Sequence, residues 1–235
     1  MKSNYIGEAL LHAKILSMRT KVIPREVGKV ITNSRELREF REVVRITDNQ
    51  KQIVIGAILG DGCLIPNAWG KNYRLQIEQS AKQRDYCFWK YEALKNFVKT
   101  KPQFQERNKS WKFRTISHPV FTMLATQWYD KNRHKQLPDE GMKWISPLVL
   151  AIWYMDDGGL RVEREKIYGA FLNTQGFSWS DNKLLRECLK QSYGIETLLL
   201  LNHRRPRIYI PHRSLPILRN IIKPHIHSSM CYKLP

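Results

Sequence analysis

The most constraining feature of this sequence is an apolar run that ends abruptly in Asp-Gly and occurs twice. The first copy, VIGAILGDG, spans residues 54–62, and the second, LAIWYMDDG, spans residues 150–158. Each copy is predicted to form a buried helix whose C-terminal end presents one carboxylate, Asp61 or Asp157. That placement is unfavourable, because the C-terminus of a helix carries partial negative charge. Two such ends brought together would therefore require a cation between them.

The glycines of the two copies predict how their helices pack. Gly56 and Gly60 are four residues apart and share one helix face. Each glycine inside a helix costs about 0.5–1 kcal/mol relative to alanine, so two of them indicate the close approach of another helix. The small Ala151 of the second copy is expected to form part of that contact. Gly62 and Gly158 are expected to adopt the left-handed conformation that ends many helices.

Hydrophobic periodicity indicates that the segments after each copy recur in one order: helix, two strands, helix, two strands, helix. Alternation predicts strands at 73–78, 111–116, 170–175, 197–201 and 207–210, and helical spacing predicts helices at 85–99, 119–129, 183–193 and 215–222. Capping residues predict that Thr47 and Ser146 begin the two motif helices. A further helix through Leu37 and Phe40 is expected to start at a capping box, NSRE, at residues 33–36.

Two lysines follow the same repeat. Lys135 comes 74 positions after Asp61, Lys233 comes 76 positions after Asp157, and each lies just ahead of a Leu-Pro pair. The sequence therefore predicts an accessory segment at 1–47 and a duplicated unit with halves at 48–145 and 146–235. The predicted fold class is α+β, with two pseudo-symmetric αββαββα halves and the motif helices at their interface.

The charge of the chain predicts a polyanionic partner. Lys and Arg total 40 against 21 Asp and Glu, a formal net charge of +19. Such a charge destabilises a compact chain through self-repulsion, so nucleic acid is the first candidate and an acidic membrane surface the second. No apolar run approaches the ~20 residues of a membrane span, and the N-terminus lacks a clean secretory signal. The four cysteines form no C-x-x-C pair and are expected to be reduced thiols in an intracellular protein: Cys63, Cys87, Cys188 and Cys231.

Paired carboxylates at a junction of helix ends predict a metal site. Mg²⁺ prefers oxygen ligands, keeps several waters and commonly binds one or two carboxylates. A single helix ending in Asp-Gly more often presents a solvated turn residue. Two copies at matched positions in a basic chain favour one composite site built from Asp61 and Asp157.

Both copies resemble the LAGLIDADG motif of homing endonucleases, in the single-chain form with two motifs. The resemblance covers residues 48–235 and is specific at 60–62 (GDG), 153–159 (WYMDDGG), 172–175 (LNTQ) and 222–235. It implies a saddle of antiparallel strands lying in the DNA major groove. The implied activity is site-specific hydrolysis of double-stranded DNA at a long, near-asymmetric target. One bond would be cut in each strand with Mg²⁺ or Mn²⁺, leaving short 3′ overhangs.

The resemblance also assigns roles to individual residues. Asp61 and Asp157 occupy the catalytic, metal-binding positions. Lys135 and Lys233 match the basic residues that assist the water network or stabilise charge on the phosphate. The backbone carbonyls of Gly60 and Asp156 match additional metal ligands. One departure is Ile152, which replaces a glycine of the motif and is expected to loosen the helix contact of the second copy.

Strand alternation predicts which side chains face the DNA. Arg can bind guanine, Asn and Gln adenine, and Glu cytosine at major-groove edges, whereas other basic residues contact phosphates. The predicted DNA contacts combine outward strand residues and loop residues: Lys71, Arg74, Gln76, Glu78, Lys112, Arg114, Arg161, Arg164, Asn173, Gln175, Arg204, Arg205, Arg207 and Tyr209.

Two other functions fit the same fold. The first is an intron maturase, which binds host intron RNA and assists splicing, and the second is a DNA-binding regulator that no longer cuts. The presence of both aspartates and both lysines favours the nuclease over the regulator. A monomer is expected, without membrane association and not secreted. It would act in the compartment of its encoding genome, a prokaryotic cytoplasm or an organelle matrix.

Overall fold

A computed structural model describes residues 35–67, 70–138 and 144–235. Residues 33 and 34 of the predicted capping box lie outside the described residues, as does most of the accessory segment. Helix α1 (Arg35–Val43) forms where a helix was predicted and buries Phe40 against the core.

The two halves contain the same elements in the same order. The first half comprises α2 (Asp48–Leu59), β1 (Cys63–Pro66), β2 (Tyr73–Ser80), α3 (Arg84–Ala93), β3 (Gln103–Gln105), β4 (Ser110–Arg114) and α4 (Pro119–Trp128). The second half comprises α5 (Pro147–Asp157), β5 (Gly158–Glu163), β6 (Lys166–Leu172), α6 (Trp179–Tyr193), β7 (Leu198–Asn202), β8 (Arg205–Pro211) and α7 (Leu215–Ile222). The predicted α+β fold with two αββαββα halves is confirmed.

Each half contributes one four-stranded antiparallel sheet. The strand orders are β1-β2-β4-β3 and β5-β6-β8-β7, so corresponding strands occupy corresponding places. Strands β1, β3 and β5 were not predicted, because the first two are short and β5 begins at the residue directly after the second motif helix.

The strand predicted at 170–175 is wrong at its C-terminal end. Strand β6 stops at Leu172, and Asn173 donates its N–H to the carbonyl of Asp157 at 3.0 Å. The next residue, Thr174, is fully buried and hydrogen-bonds to the side chain of Asn182. Since these contacts tie the chain to α5 and α6, Asn173 and Gln175 lie in a loop beyond the strand.

The motif helices α2 and α5 begin where their caps were predicted. Thr47 and Gln50 form a reciprocal capping box at the start of α2. Ser146 accepts a hydrogen bond from the Val149 N–H at the start of α5, and Pro147 occupies the first turn. Proline is tolerated there because its missing N–H would have no partner inside the helix.

Glycines of α2 lie against larger residues of α5 at corresponding positions of the repeat. A Cβ atom added to Gly56 would lie 2.7 Å from Cβ of Ile152, and one added to Gly60 would lie 2.3 Å from Cβ of Asp156. The predicted close approach is confirmed, but Ile152 and the Val149 carbonyl, rather than Ala151, are the nearest atoms to Gly56. The isoleucine does not loosen this contact, because it fills the space that the glycine leaves.

The predicted left-handed conformation of Gly62 and Gly158 is wrong. Gly158 has φ −80° and ψ 154°, and Gly62 is not among the residues with positive φ. Close backbone approach explains both glycines instead. A Cβ on Gly62 would lie 2.8 Å from the Ala57 carbonyl oxygen, and one on Gly158 would lie 2.3 Å from that of Tyr154.

Substitution of Gly56 by Ala is expected to destabilise the fold by about 1–3 kcal/mol, because the added methyl overlaps Ile152 in a packed interface. Chemical denaturation measures the change in the free energy of unfolding. The matched control is Gly176→Ala, where the added Cβ meets no atom within 4 Å. The Gly56→Ala, Ile152→Ala double variant should lose less stability than the sum of the losses of the two single variants. Strict additivity would contradict the proposed contact.

Candidate active site

The ends of the motif helices meet at a cluster of carboxylates. The Asp61 N–H lies 3.4 Å from Oδ2 of Asp156, which places the two chain segments side by side. Gln79, at the end of β2, donates from Nε2 to Oδ2 of Asp61 at 3.1 Å and to Oδ1 of Asp156 at 3.3 Å. One amide therefore connects the first motif to the second.

Asp156 forms a buried ion pair with a lysine of the first half. Its Oδ1 lies 2.6 Å from Nζ of Lys90, and both side chains are fully buried. The same ammonium lies 4.3 Å from the ring centroid of Tyr86. Burial raises the pKa of Asp156 despite the opposing effect of Lys90. This carboxylate therefore already has a buried counterion supplied by the protein.

Asp157 lacks such a dedicated counterion in the described residues. The pKa of Asp157 is raised to about 7, first by burial and then by the negative charges of Asp61 and Asp156, against the smaller opposing effects of Lys135 and Lys233. A carboxylate whose pKa is raised by neighbouring negative charges lies in a site that favours a bound cation.

The two predicted lysines lie at equivalent places. Lys135 donates from Nζ to the Gly60 carbonyl at 2.8 Å. Lys233 donates to the carbonyls of Met155 and Asp156 at 2.6 and 3.0 Å. Burial lowers the pKa of both lysines, while the nearby aspartates act in the opposite direction. Each lysine thus binds the backbone just ahead of one candidate catalytic aspartate.

The donor set fits a hard divalent cation. Asp61 and Asp157 offer carboxylate oxygens, and no group of three His, Cys, Asp or Glu residues in 35–67, 70–138 and 144–235 forms a complete metal cage. Mg²⁺ is commonly held in this way, by one or two carboxylates together with substrate phosphates. The predicted ligand carbonyls of Gly60 and Asp156 accept hydrogen bonds from lysines in this structure.

Five of the predicted DNA contacts share the outer face of the first sheet, opposite the buried Leu75, Ile77 and Phe113. They pair across strands, with Gln76 opposite Arg114 and Glu78 opposite Lys112. Their side chains hold one another, since Arg114 donates to Gln76 at 2.8 Å and Lys112 pairs with Glu78 at 3.0 Å. The pKa of Glu78 is lowered to about 2, chiefly by a hydrogen bond from Ser110. The five are Arg74, Gln76, Glu78, Lys112 and Arg114.

The predicted contacts of the second half are more varied. Arg207 lies on the outer face, with Cζ 3.5 Å from the ring centroid of Phe171. Tyr209 shares that face but is 9% exposed, and its hydroxyl donates to the Tyr168 carbonyl. It can therefore offer a ring edge, but its hydroxyl is already used.

The remaining predicted contacts lie in strand ends, turns and loops. Arg164 and Arg204 occupy tight hairpin turns with φ of 46° and 64°. Arg161 pairs with Glu163, and Gln175 donates to Asn202. The exposed members of this set are Lys71, Arg164, Asn173, Arg204 and Arg205.

Neither Gln79 nor Lys90 is among the residues that the motifs predict. Both nevertheless carry a signal in the sequence. Gln79 continues the inward face of β2 that Leu75 and Ile77 define, and Lys90 lies four residues after buried Tyr86. A polar residue on an apolar face requires a buried partner.

Comparison with known proteins agrees with this geometry. The family model of the LAGLIDADG DNA endonuclease family matches residues 51–218, which include both copies of the motif. The chain belongs to this family. A LAGLIDADG relative, the DNA endonuclease I-ChuI of Chlamydomonas applanata, is 31% identical over 80% of this chain and 95% of its own length. The cytochrome b mRNA maturase bI2 of Debaryomyces hansenii is 31% identical over 78% of this chain and 72% of its own length.

Solved LAGLIDADG structures share the fold. The homing endonuclease I-WcaI, bound to its DNA recognition sequence, is 25% identical with a TM-score of 0.78 and covers 90% of this chain and 96% of its own. Meganuclease I-SmaMI is 10% identical with a TM-score of 0.51 over 80% of this chain and 87% of its own. The family and the fold make the chain a homing-endonuclease-type protein. Within the described part of the chain, none of the helices has the length and apolar character needed to span a membrane.

Proposed function

We propose that this protein is a site-specific endonuclease that cuts both strands of a long, near-asymmetric DNA target and leaves short 3′ overhangs. The observation that carries the proposal is the junction of the motif helices, where the exposed Asp61 and the half-buried Asp157 bring two negative charges close together. A basic side chain, Lys135 or Lys233, binds the backbone beside each of them. Two equivalent half-sites suit one cut in each strand.

Asp61 and Asp157 are proposed to hold divalent cations, Mg²⁺ or Mn²⁺, at the two scissile phosphates. When bound, such a cation neutralises phosphate charge and makes water a better nucleophile near neutral pH. Lys135 and Lys233 are proposed to stabilise the negative charge that develops on the phosphate. Release of the Gly60 and Asp156 carbonyls by these lysines would free two further oxygen ligands.

The outer faces of the two sheets are proposed to lie in the major groove. Nε of Arg74 and Nε of Arg207 are buried and have no hydrogen-bond partner among the described residues. Buried donors of this kind are uncommon and call for an acceptor, which DNA offers at base edges and phosphates. The cross-strand pairs Gln76–Arg114 and Glu78–Lys112 hold neighbouring side chains ready for readout.

The two predicted halves, 48–145 and 146–235, are each proposed to read one side of the target within a monomer. The segment 1–47 is proposed to be accessory to them. The name of a relative from Wickerhamomyces canadensis, "Probable intron-encoded endonuclease 1", supports an intron-encoded origin. The protein would then act in the compartment of its encoding genome, a prokaryotic cytoplasm or an organelle matrix.

Selection of cleaved molecules from a randomised duplex DNA pool tests the proposed function. With Mg²⁺ present, the pool should yield one extended consensus whose cut ends carry short 3′ overhangs, and EDTA should stop the reaction. DNA that is bound but never cut, with either Mg²⁺ or Mn²⁺, would overturn the nuclease proposal and favour the regulator.

A maturase is the second candidate, favoured by the similarity to the bI2 maturases. The relative from Saccharomyces cerevisiae is 29% identical over 79% of this chain and 47% of its own length. The test is splicing of a precursor RNA that contains the host intron, with and without the protein. Stimulated splicing by a chain that does not cut DNA would establish the maturase instead.

A further inference from the structure

The outer faces of the two sheets differ in chemistry. The first sheet presents charged and amide side chains, joined by the cross-strand pairs described above. The second sheet presents apolar side chains between arginines. Its edge strand β7 carries a run of four leucines, of which Leu198 is 49% exposed and Leu201 is 65% exposed.

Strand register assigns each leucine to a face. Ile208 of β8 is fully buried, and Leu199 is paired with it, so Leu199 points toward the core. Leu198 is paired with Tyr209 and Leu200 with Arg207, which places both leucines on the outer face. Leu201 is paired with Pro206 and lies on the core-facing side of the strand, beyond the edge of the core.

The outer leucines continue an apolar surface across the sheet. Phe171 is paired with Tyr209 on the neighbouring strands, and their ring centroids are 5.2 Å apart. Arg207 lies over the Phe171 ring, and the guanidinium carbon of Arg161 lies 5.7 Å from the Tyr209 ring centroid. The surface formed by Leu198, Leu200, Phe171 and Tyr209 is therefore apolar and edged by guanidinium groups.

An apolar surface edged by arginines favours a partner that is both apolar and negatively charged. Exposed apolar groups on a strand favour an apolar partner, while the arginines at their edge attract phosphate. In the major groove, the C5-methyl group of thymine is the apolar feature that distinguishes one base from another, and aliphatic and aromatic side chains contact it. A protein partner with matching chemistry would have to be both apolar and acidic. Duplex DNA supplies both features in one groove, as thymine methyl groups and as phosphates.

We propose that the second sheet reads thymine methyl groups in its half of the target through Leu198 and Leu200, whereas the first sheet reads hydrogen-bonding edges. This inference rests on the proposed function, because it requires the outer faces to lie in the major groove. It makes the two half-sites different in kind. The half under the second sheet would be enriched in thymine at the positions that β7 covers.

Removal of single methyl groups tests the proposal. In the target obtained by selection, each thymine of one half-site is replaced by deoxyuridine, which lacks the C5-methyl and keeps every hydrogen-bonding group. Binding by the full chain is measured in Ca²⁺ and cleavage in Mg²⁺. Replacement under β7 should weaken binding about four-fold per contacted methyl, since one buried methylene-sized group contributes about that factor. Replacement under the first sheet should leave affinity unchanged.

Two leucine variants identify the side chains responsible. The Leu198→Ala, Leu200→Ala double variant should bind thymine and deoxyuridine targets equally, because both side chains proposed to contact the methyls are shortened. Leu201→Ala is the matched control, since it shortens a leucine of the same strand on the other face, and it should keep the full four-fold preference. At a contacted position, 5-methylcytosine should bind more tightly than cytosine by a similar factor.

The outcomes separate this proposal from the one on which it rests. A chain that cuts a defined target equally well with thymine or deoxyuridine at every position would overturn the methyl readout and leave the nuclease standing. A Leu198→Ala, Leu200→Ala variant that keeps the preference would also overturn it. Absence of any DNA binding or cutting would instead contradict the proposed function.

Discussion

Asp157→Asn is expected to lower the rate of double-strand cleavage by at least about 1,000-fold while DNA affinity stays within a few-fold of the parent. The carboxylate lies at the end of a motif helix, where the proposed cation would contribute several kcal/mol to the transition state, and each 1.36 kcal/mol is a factor of ten. Asp61→Asn is expected to have the same effect. Supercoiled plasmid carrying the selected target reports nicked and linear products separately.

Stability separates a catalytic loss from a folding loss. Asn has nearly the same volume as Asp and removes a charge that Asp61 and Asp156 oppose, so the Asp157→Asn variant should unfold at an equal or higher temperature than the parent. Asp85→Asn is the matched control, because Asp85 is an exposed carboxylate paired with Arg84. It should cut at the parental rate. Full Mg²⁺-dependent cutting by the Asp61→Asn, Asp157→Asn double variant would exclude these aspartates as metal ligands.

The sequence predicted the repeat because the repeat is encoded in local signals. The caps at Thr47 and Ser146 and the apolar runs behind them are read from neighbouring residues, and each helix begins where it was expected. The equivalence of Lys135 and Lys233 in the repeat followed from spacing, and their place beside the aspartates followed from the family resemblance. Contacts between two segments that are far apart in the chain could not be predicted from neighbouring residues.

The glycines illustrate that limit. The sequence indicates that Gly56 and Gly60 need a close neighbour, but the identity of that neighbour depends on the helix crossing. The structure places Ile152 and Asp156 there, at equivalent positions of the second repeat. Similarly, Gly62 and Gly158 were predicted to have a left-handed backbone. Glycine is required there because the carbonyls of Ala57 and Tyr154 leave no room for a Cβ atom. The presence of glycine was informative, but the reason for it is a tertiary contact that the sequence does not reveal.

The most important contact that the sequence did not predict is the Lys90–Asp156 pair, because the two residues lie 66 positions apart and no local pattern connects them. Its effect on stability should be large. Replacing Lys90 with Met keeps much of the side-chain volume but leaves Asp156 buried without its cation, and such a change costs about 3–5 kcal/mol. Lys95→Met is the matched control, because Lys95 belongs to an exposed ion pair with Glu92 and exposed pairs contribute about 0–1 kcal/mol.

A double-variant cycle distinguishes a paired charge from a packing role for Lys90. Asp156→Asn removes the buried charge and keeps an oxygen that can accept from Gln79, so the combined Lys90→Met, Asp156→Asn protein should recover most of the stability lost by Lys90→Met alone. Denaturant unfolding measures all four proteins. If the stability loss of the double variant equals the sum of the losses of the two single variants, Lys90 acts through its aliphatic stem. Because Lys90 belongs to the first half and Asp156 to the second, coupling of the two would also make the unfolding of the halves cooperative. The paired aspartates at the helix ends would then be held together by a charge pair that takes no part in cutting.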